Sequence, residues 1–192
     1  VTMRPFEQIR NDVCYQNLNV KIVGVGAGFS YGTYGHTHHG LEDIGILRIL
    51  PNLTILTPGD PTEVMLCTKA MLQYPGPVYL RLGKAGEARL YSKIPKFKIG
   101  KGIILREGIH ITIIATSTLI ERGLIVAQKL KEKGVETRLI SMHTIKPLDK
   151  KLILDSARKT KTIITLEEHS IIGGLGSAVA EVLAESDILV RF

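Results

Sequence analysis

Thr54-Ile55-Leu56-Thr57-Pro58-Gly59-Asp60-Pro61-Thr62-Glu63, followed by Val64 to Gln73, Pro75-Gly76-Pro77 and Val78-Tyr79-Leu80-Arg81-Leu82, reads as strand, helix and strand. Thr54 to Leu56 is a short apolar and β-branched run. Asp60 offers a side-chain oxygen to cap a helix, Pro61 suits the first helical position, and Glu63 stands third. The helix runs to about Gln73, where Pro75-Gly76-Pro77 breaks it, and Val78 to Leu82 returns to extended chain. Strands joined through a helix pair in parallel, so this stretch predicts an α/β fold.

On its N-terminal side, Phe6, Ile9 and Val13 recur at helical spacing and Val20 to Val25 reads as a strand. A Gly-rich loop from Gly26 to Gly40 follows, and Leu41 to Leu50 suits a helix. On the other side, Gly83 to Gly100 is rich in Lys, Gly and Pro without a sustained period, which marks a domain boundary. A second α/β unit follows. Its expected strands are Ile103 to Leu105, Ile111 to Ala115, Thr137 to Ile140 and Thr162 to Leu166. Thr116 or Ser117 is expected to cap a helix reaching Lys133, Pro147 and Asp149 to introduce another ending near Arg158, and Ser177 to Glu185 to form a third. Ile188 to Val190 is expected to open one more strand, so the chain is expected to stop short of a full domain. It also begins at Val1 without an initiating Met, which suggests a fragment or a processed chain. The fold class expected is α/β, with two mostly parallel-sheet, three-layer units.

Bulk properties exclude several classes. No apolar run approaches the roughly 18 residues of a membrane helix, and Val1 to Arg10 lacks the layout of a signal peptide. A cytoplasmic location with no membrane partner is the expectation. Cys14 and Cys67 lie far apart within apolar patterns and read as reduced core thiols. The formal charge of +7 is spread over Lys93 to Lys101, Lys129 to Lys133 and Lys146 to Lys161 with few aromatic residues among them. That distribution describes solvated faces rather than a nucleic-acid surface, and it also suits an acidic partner chain or anionic sugar phosphates.

The densest group of chemically active residues is Tyr34-Gly35-His36-Thr37-His38-His39-Gly40-Leu41-Glu42-Asp43. Its imidazoles sit on a loop after a strand, where open parallel sheets build their sites, and histidine suits proton transfer near neutral pH. A metal site is the rival reading, with Glu42 one helical turn from His38. It is weakened because adjacent histidines point apart and no recognised ligand spacing recurs; the expected metal ligands in this chain are none. Gly24, Gly26 and Gly28 lack the remainder of a dinucleotide fingerprint and read as places where backbone approaches a ligand or a neighbouring chain. Gly173-Gly174-Leu175-Gly176 is open to two readings, an anion site at a helix start or tight packing, of which packing is preferred. Arg81, at a strand end, suits a phosphate or carboxylate, or equally a structural ion pair.

Arg4-Pro5-Phe6-Glu7-Gln8-Ile9-Arg10, Thr37-His38-His39-Gly40-Leu41-Glu42-Asp43, Pro51-Asn52-Leu53, Pro58-Gly59-Asp60-Pro61-Thr62-Glu63 and Glu167-Glu168-His169-Ser170-Ile171-Ile172-Gly173-Gly174-Leu175-Gly176 resemble, in the same order, the transketolase superfamily. The resemblance covers nearly the whole chain and is closest to the C-terminal sections of split or short bacterial transketolases, then to deoxyxylulose-5-phosphate synthases. It implies a pyrimidine-binding domain lacking its beginning over residues 1–85, a linker over 86–100 and a transketolase C-terminal domain over 101–192. It also implies thiamine diphosphate and Mg held at subunit interfaces, with the Mg and diphosphate ligands outside this chain, and transfer of a ketol unit between sugar phosphates. A homodimer, joined to an N-terminal cofactor-binding section or subunit, is the implied assembly.

By resemblance, His38 is the proton-transfer residue beside the thiazolium. Arg4 and Phe6, with Gly26 and Gly28, fall near the cofactor. Arg81, His36 and Tyr34 fall on the substrate side, Arg81 in the place of an Arg that contacts the acceptor phosphate. Two departures qualify this: Tyr34 stands where transketolases of phosphorylated sugars often carry Asp, and Gly26 roughly where they carry another His. They put the usual pentose-phosphate substrates in doubt. The glutamate that activates the aminopyrimidine lies upstream of Arg4 in the family, so the chain is expected to be inactive alone. The alternatives are a 1-deoxy-D-xylulose-5-phosphate synthase, the beta subunit of a 2-oxo acid dehydrogenase, and a non-catalytic dimerisation or regulatory module of the same fold.

Overall fold

The computed structural model describes residues 2–192. A helical stretch comes first, α1 (Phe6–Gln8), which widens into a π-helical continuation over Ile9–Tyr15. Next come β1 (Lys21–Val25), α2 (Asp43–Arg48), β2 (Thr54–Leu56), α3 (Pro61–Gln73) and β3 (Val78–Leu82). The second half contributes β4 (Ile103–Arg106), β5 (Ile111–Ala115), α4 (Leu119–Glu132), β6 (Thr137–Ser141), β7 (Thr144–Lys146), α5 (Lys150–Thr160), β8 (Ile163–Leu166) and α6 (Leu175–Ala184).

The strand–helix–strand reading holds. Asp60 accepts a hydrogen bond from the Glu63 amide at 2.7 Å, Pro61 opens α3, and β2 and β3 pair in parallel. β1 also joins β3 in parallel, which sets Gly24 beside Arg81. The second sheet has the order β4-β6-β5-β8, parallel except for the antiparallel β4 edge.

Four local expectations are corrected. The first sheet has the order β1-β3-β2-β7, so its last strand comes from the second half of the chain and pairs antiparallel with β2. Lys146 holds it there by donating to the main-chain carbonyls of Arg48 and Leu50 at the end of α2. Helix α2 starts at Asp43 rather than Leu41, because the Leu41 carbonyl accepts from the Ser170 amide of the second half. Neither Thr116 nor Ser117 caps α4: Thr116 bonds Thr57 and the Met142 carbonyl, and Ser117 Oγ is buried with no hydrogen-bond partner among the described residues. Ile188 to Val190 is not a strand; only a bridge between Thr162 and Arg191 forms there.

One core serves both halves. Ile44, Leu47, Leu50 and Leu53 pack in the same cluster as Ile140, Met142, Ile153 and Val179. Removing such contiguous apolar surface from water is what fixes the two sheets against each other. Cys14 is free and buried within this packing, Cys67 is free and buried in a separate cluster with Leu56, Met71, Val78 and Leu80, and burial pushes both thiols up.

Two buried polar groups fasten the seam. Glu63 is 0% exposed and accepts from the Gly59 amide (2.8 Å), from Tyr91 of the connecting segment (2.5 Å) and from Ser141 at the end of β6 (2.5 Å). One carboxyl therefore ties α3, the connector and the second sheet. Burial raises its pKa above the ordinary 4.5, with nearby Asp60 adding to the effect, while its three donors oppose the shift. The second group is Arg81, 1% exposed, which donates through Nε to Asp43 Oδ2 (2.8 Å) and through Nη2 to Asp43 Oδ1 (3.1 Å). Tyr79 donates to the same Oδ2 at 2.8 Å.

Each network yields a test. A carboxyl whose pKa is raised on folding stabilises the fold below its unfolded value and loses that contribution as pH climbs through the folded one. Glu63→Gln is therefore expected to gain on the wild type between about pH 5 and about pH 8, read as the difference in urea midpoints. A constant difference would contradict a raised pKa. Asp43→Ala leaves the Arg81 charge buried without a counterion and is expected to cost about 3–5 kcal/mol in the same experiment.

Candidate active site

A cleft of about 700 Å³ opens at the carboxyl end of β1. Its walls are the chain start at Thr2 to Arg4, the backbone from Gly24 to Ala27 and the loop from His36 to Gly40, with Asp43 and Tyr79 at its base. The volume lies within the roughly 300–1,000 Å³ of small-molecule sites.

Glycines shape the loop by distinct means. Gly26 adopts φ +99°, and a Cβ there would run into the Tyr31 ring. Its amide, with that of Ala27, donates to the Leu82 carbonyl at 3.0 and 2.9 Å, which ties the loop to the end of β3. Gly28, at φ +59°, exchanges hydrogen bonds with Gly40 at 3.1 and 2.9 Å, closing the loop's base; a Cβ at 28 would overlap the Glu168 side chain. A left-handed backbone carrying no Cβ makes both approaches possible.

Within the loop, a turn of 3₁₀ helix over His36–His38 presents the imidazoles. His38 is exposed and its Nδ1 lies 3.0 Å from Thr37 Oγ1, so Nε2 makes no hydrogen bond to any described residue. His39 is held differently: its Nε2 lies 3.3 Å from the Gly32 carbonyl and its ring meets Phe29 edge to face at 5.0 Å. Tyr34 packs on the His38 ring at 5.2 Å and on Tyr31 at 6.0 Å, while Lys84 Nζ sits 5.4 Å from the centre of the Tyr31 ring. Aromatic contacts of this kind fix ring orientation.

The structure thus brings Arg4, Gly26, His36 and His38 to one cleft. It does not bring Phe6, Gly28, Tyr34 or Arg81 to the lining. Phe6 packs against the shared core, Gly28 stands behind the loop against Glu168, and Tyr34, 65% exposed, forms the rim beside His38. Arg81 is the main correction among the expected site residues. Besides Asp43 its Nη2 donates to the carbonyls of Gly40 (2.5 Å) and Glu168 (3.1 Å), so this buried guanidinium matches the structural ion pair, not a substrate contact.

Other candidates resolve similarly. Glu167 places its carboxylate on the Leu175 and Gly176 amides at 2.7 and 2.8 Å, so the Gly173 to Gly176 helix start already carries an anion from its own chain. Among the described residues, no group of three or more His, Cys, Asp or Glu side chains is placed to hold a metal ion. His143, absent from the candidate residues, is fully buried, stacks on Phe97 at 4.3 Å, and is pushed down to about 4 by burial; it belongs to the seam, outside the cleft. The residues that sequence reasoning missed are Glu168, His169 and Ser170, which reach across the seam to the back of the loop. Their signal was present in the Glu167 to Gly176 motif, but without a partner in view it carried no role.

Comparison with known proteins identifies the family. Residues 2–86 match the transketolase pyrimidine binding domain, and residues 100–191 match the transketolase C-terminal domain. The chain is 40% identical over 189 residues to an apulose-4-phosphate transketolase subunit of Phocaeicola vulgatus, covering 98% of this chain and 61% of that protein. It is 38% identical over 193 residues to the 1-deoxy-D-xylulose-5-phosphate synthase of Desulfitobacterium hafniense, covering 98% of this chain and 30% of the relative. A solved structure described as a split gene transketolase, inactive beta4 tetramer, superposes with a TM-score of 0.91 at 40% identity, over 98% of this chain and 60% of that one. The chain spans 57–61% of the length of the transketolase subunits and section it matches. With both domain patterns in order on a fold of this similarity, the chain belongs to the transketolase family, as a pyrimidine-binding domain followed by a transketolase C-terminal domain.

Proposed function

We propose that the chain is the C-terminal part of a thiamine-diphosphate-dependent, transketolase-like enzyme that transfers a ketol unit between sugar phosphates. The observation that carries this reading is His38: an exposed imidazole on a cleft at the carboxyl edge of a parallel sheet, with Nε2 free of protein partners among the described residues. The cleft has the size for a small organic cofactor, and the backbone from Gly24 to Ala27 forms one of its walls. When bound, thiamine diphosphate supplies the carbon nucleophile and electron sink for breaking the bond beside a ketose carbonyl. On this reading the Mg ligands lie in the N-terminal section, and this chain's residues supply proton transfer and positive charge.

His38 Nε2 takes and returns protons on substrate oxygens, and Tyr34 steadies the ring. Arg4, at one cleft wall, supplies positive charge for an anionic group, and His36 lines the loop wall on the substrate side. The reading joins this chain to an N-terminal section or subunit that completes the cofactor site, in a homodimeric assembly working in the cytoplasm. The synthase alternative is favoured by the 38% identity over nearly the whole chain, and by His39-Gly40 after Thr37-His38. A 2-oxo acid as donor in place of a ketose distinguishes it.

The test is ketol transfer in the presence of thiamine diphosphate, Mg, a ketose donor and an aldose acceptor, with and without the N-terminal section. The combined protein is expected to turn over and the chain alone is not; turnover by the chain alone would sink the division of the site. His38→Ala is expected to lower turnover by about 10²–10⁴-fold while changing stability by less than about 0.5 kcal/mol, since the ring is exposed. Calorimetric titration with thiamine diphosphate in the presence of the N-terminal section separates both enzymes from a non-catalytic module, which would give no binding heat.

A further inference from the structure

The segment Glu168-His169-Ser170, between β8 and α6, has no role in the chemistry outlined above, yet it meets the imidazole loop at several points. Glu168 Oε2 accepts from the Phe29 amide at 3.1 Å, and its side chain fills the space that a Cβ on Gly28 would claim. The Glu168 carbonyl accepts from Arg81 Nη2 at 3.1 Å, and the same Nη2 donates to the Gly40 carbonyl at 2.5 Å. His169 Nε2 accepts from the Gly45 amide at 3.1 Å, and the Ser170 amide donates to the Leu41 carbonyl at 2.8 Å. These contacts fall on both ends of the loop, at Phe29 and at Gly40 to Gly45, and none falls on an imidazole.

Such a pattern is suited to placing a loop rather than to acting on substrate. Phe29 adjoins the antiparallel bridge between Gly28 and Gly40, and Gly40 is part of it, so whatever pins these two residues sets where the turn bearing His36 and His38 stands. A misplacement of a reacting group by about 1 Å can cost about 10²-fold in rate. Side chains that orient a catalytic group from behind therefore reach the rate without touching the substrate.

We propose that the second unit positions the active-site loop through Glu168, with Arg81 as the relay that joins Glu168 to Gly40. Glu168 and Arg81 are positioning residues; they act on His38 only through the backbone between Gly28 and Gly40. The consequence for turnover rests on the ketol-transfer reading, whereas the placement of the loop does not.

The experiment uses the full chain for amide hydrogen exchange, and the chain combined with its N-terminal section for kinetics. Glu168→Ala is expected to speed exchange at Phe29, Gly28 and Gly40 by about tenfold or more, with the amides of α4 unchanged. In the combined enzyme it is expected to lower kcat by about tenfold with KM within about twofold. Glu168→Gln retains an acceptor for the Phe29 amide and is expected to restore both values to near wild type. Unchanged loop exchange in Glu168→Ala overturns the proposal, as does acceleration spread evenly through α4, which would mean general loosening. A Glu168→Gln variant as impaired as Glu168→Ala also overturns it, by removing the hydrogen bond as the cause. If the wild-type combined protein shows no ketol transfer, the functional reading fails on its own, and the exchange comparison still decides the role of Glu168.

Discussion

The buried ion pair between Arg81 and Asp43 is the constraint from which the site is built. A guanidinium at 1% exposure is tolerated only where its charge and donors are matched, and Asp43 with two backbone carbonyls provides that match. The partners come from separate places: Asp43 opens α2, Arg81 lies on β3, Gly40 ends the imidazole loop, and Glu168 belongs to the second half. One side chain thus requires four segments to be in register at once. Parallel pairing supplies the starting point, because it sets Gly24 of β1 beside Arg81 and so aligns the cleft's backbone wall with its buried anchor.

Around this anchor the two halves behave as one body. β7 crosses over to complete the first sheet, the largest core cluster draws on both halves, and Arg48 binds Glu181 with two hydrogen bonds of 2.7 and 2.5 Å. Glu63 ties the connector into the same seam. A loop that carries exposed imidazoles has little apolar surface of its own to bury, so its order must be imposed from its ends. Here the tertiary contacts at Phe29, Gly40 and Leu41 impose it.

This arrangement separates two sorts of residue that look alike in a motif. His36 and His38 face the cleft with few internal bonds, as groups meant for a ligand are placed. Asp43, Arg81, Glu167 and Glu168 carry charge of the kind expected at a site, yet each spends it on the protein itself. Glu167 occupying the α6 helix start is the plainest instance: the backbone amides suited to an external anion are bound by a carboxylate from eight and nine residues earlier.

Local chemistry was legible in the chain. The Asp60-Pro61-Thr62-Glu63 start signal, the breaking Pro75-Gly76-Pro77 and the β-branched runs determined α3, β2 and β3, because caps, fixed φ angles and strand patterns act over a few residues. The loop holding His36 and His38 could likewise be placed at a strand's carboxyl end. What needed tertiary structure was every choice between equally suitable partners. Arg81 could have met a phosphate or a carboxylate, nothing in the chain marked Thr144 to Lys146 as a strand of the first sheet, and Glu168 had no visible counterpart. Those outcomes depend on residues as far apart as Arg81 and Glu168 meeting in a water-poor seam. There an unpaired charge or strand edge is costly, and no pattern along the chain encodes which distant group will satisfy it.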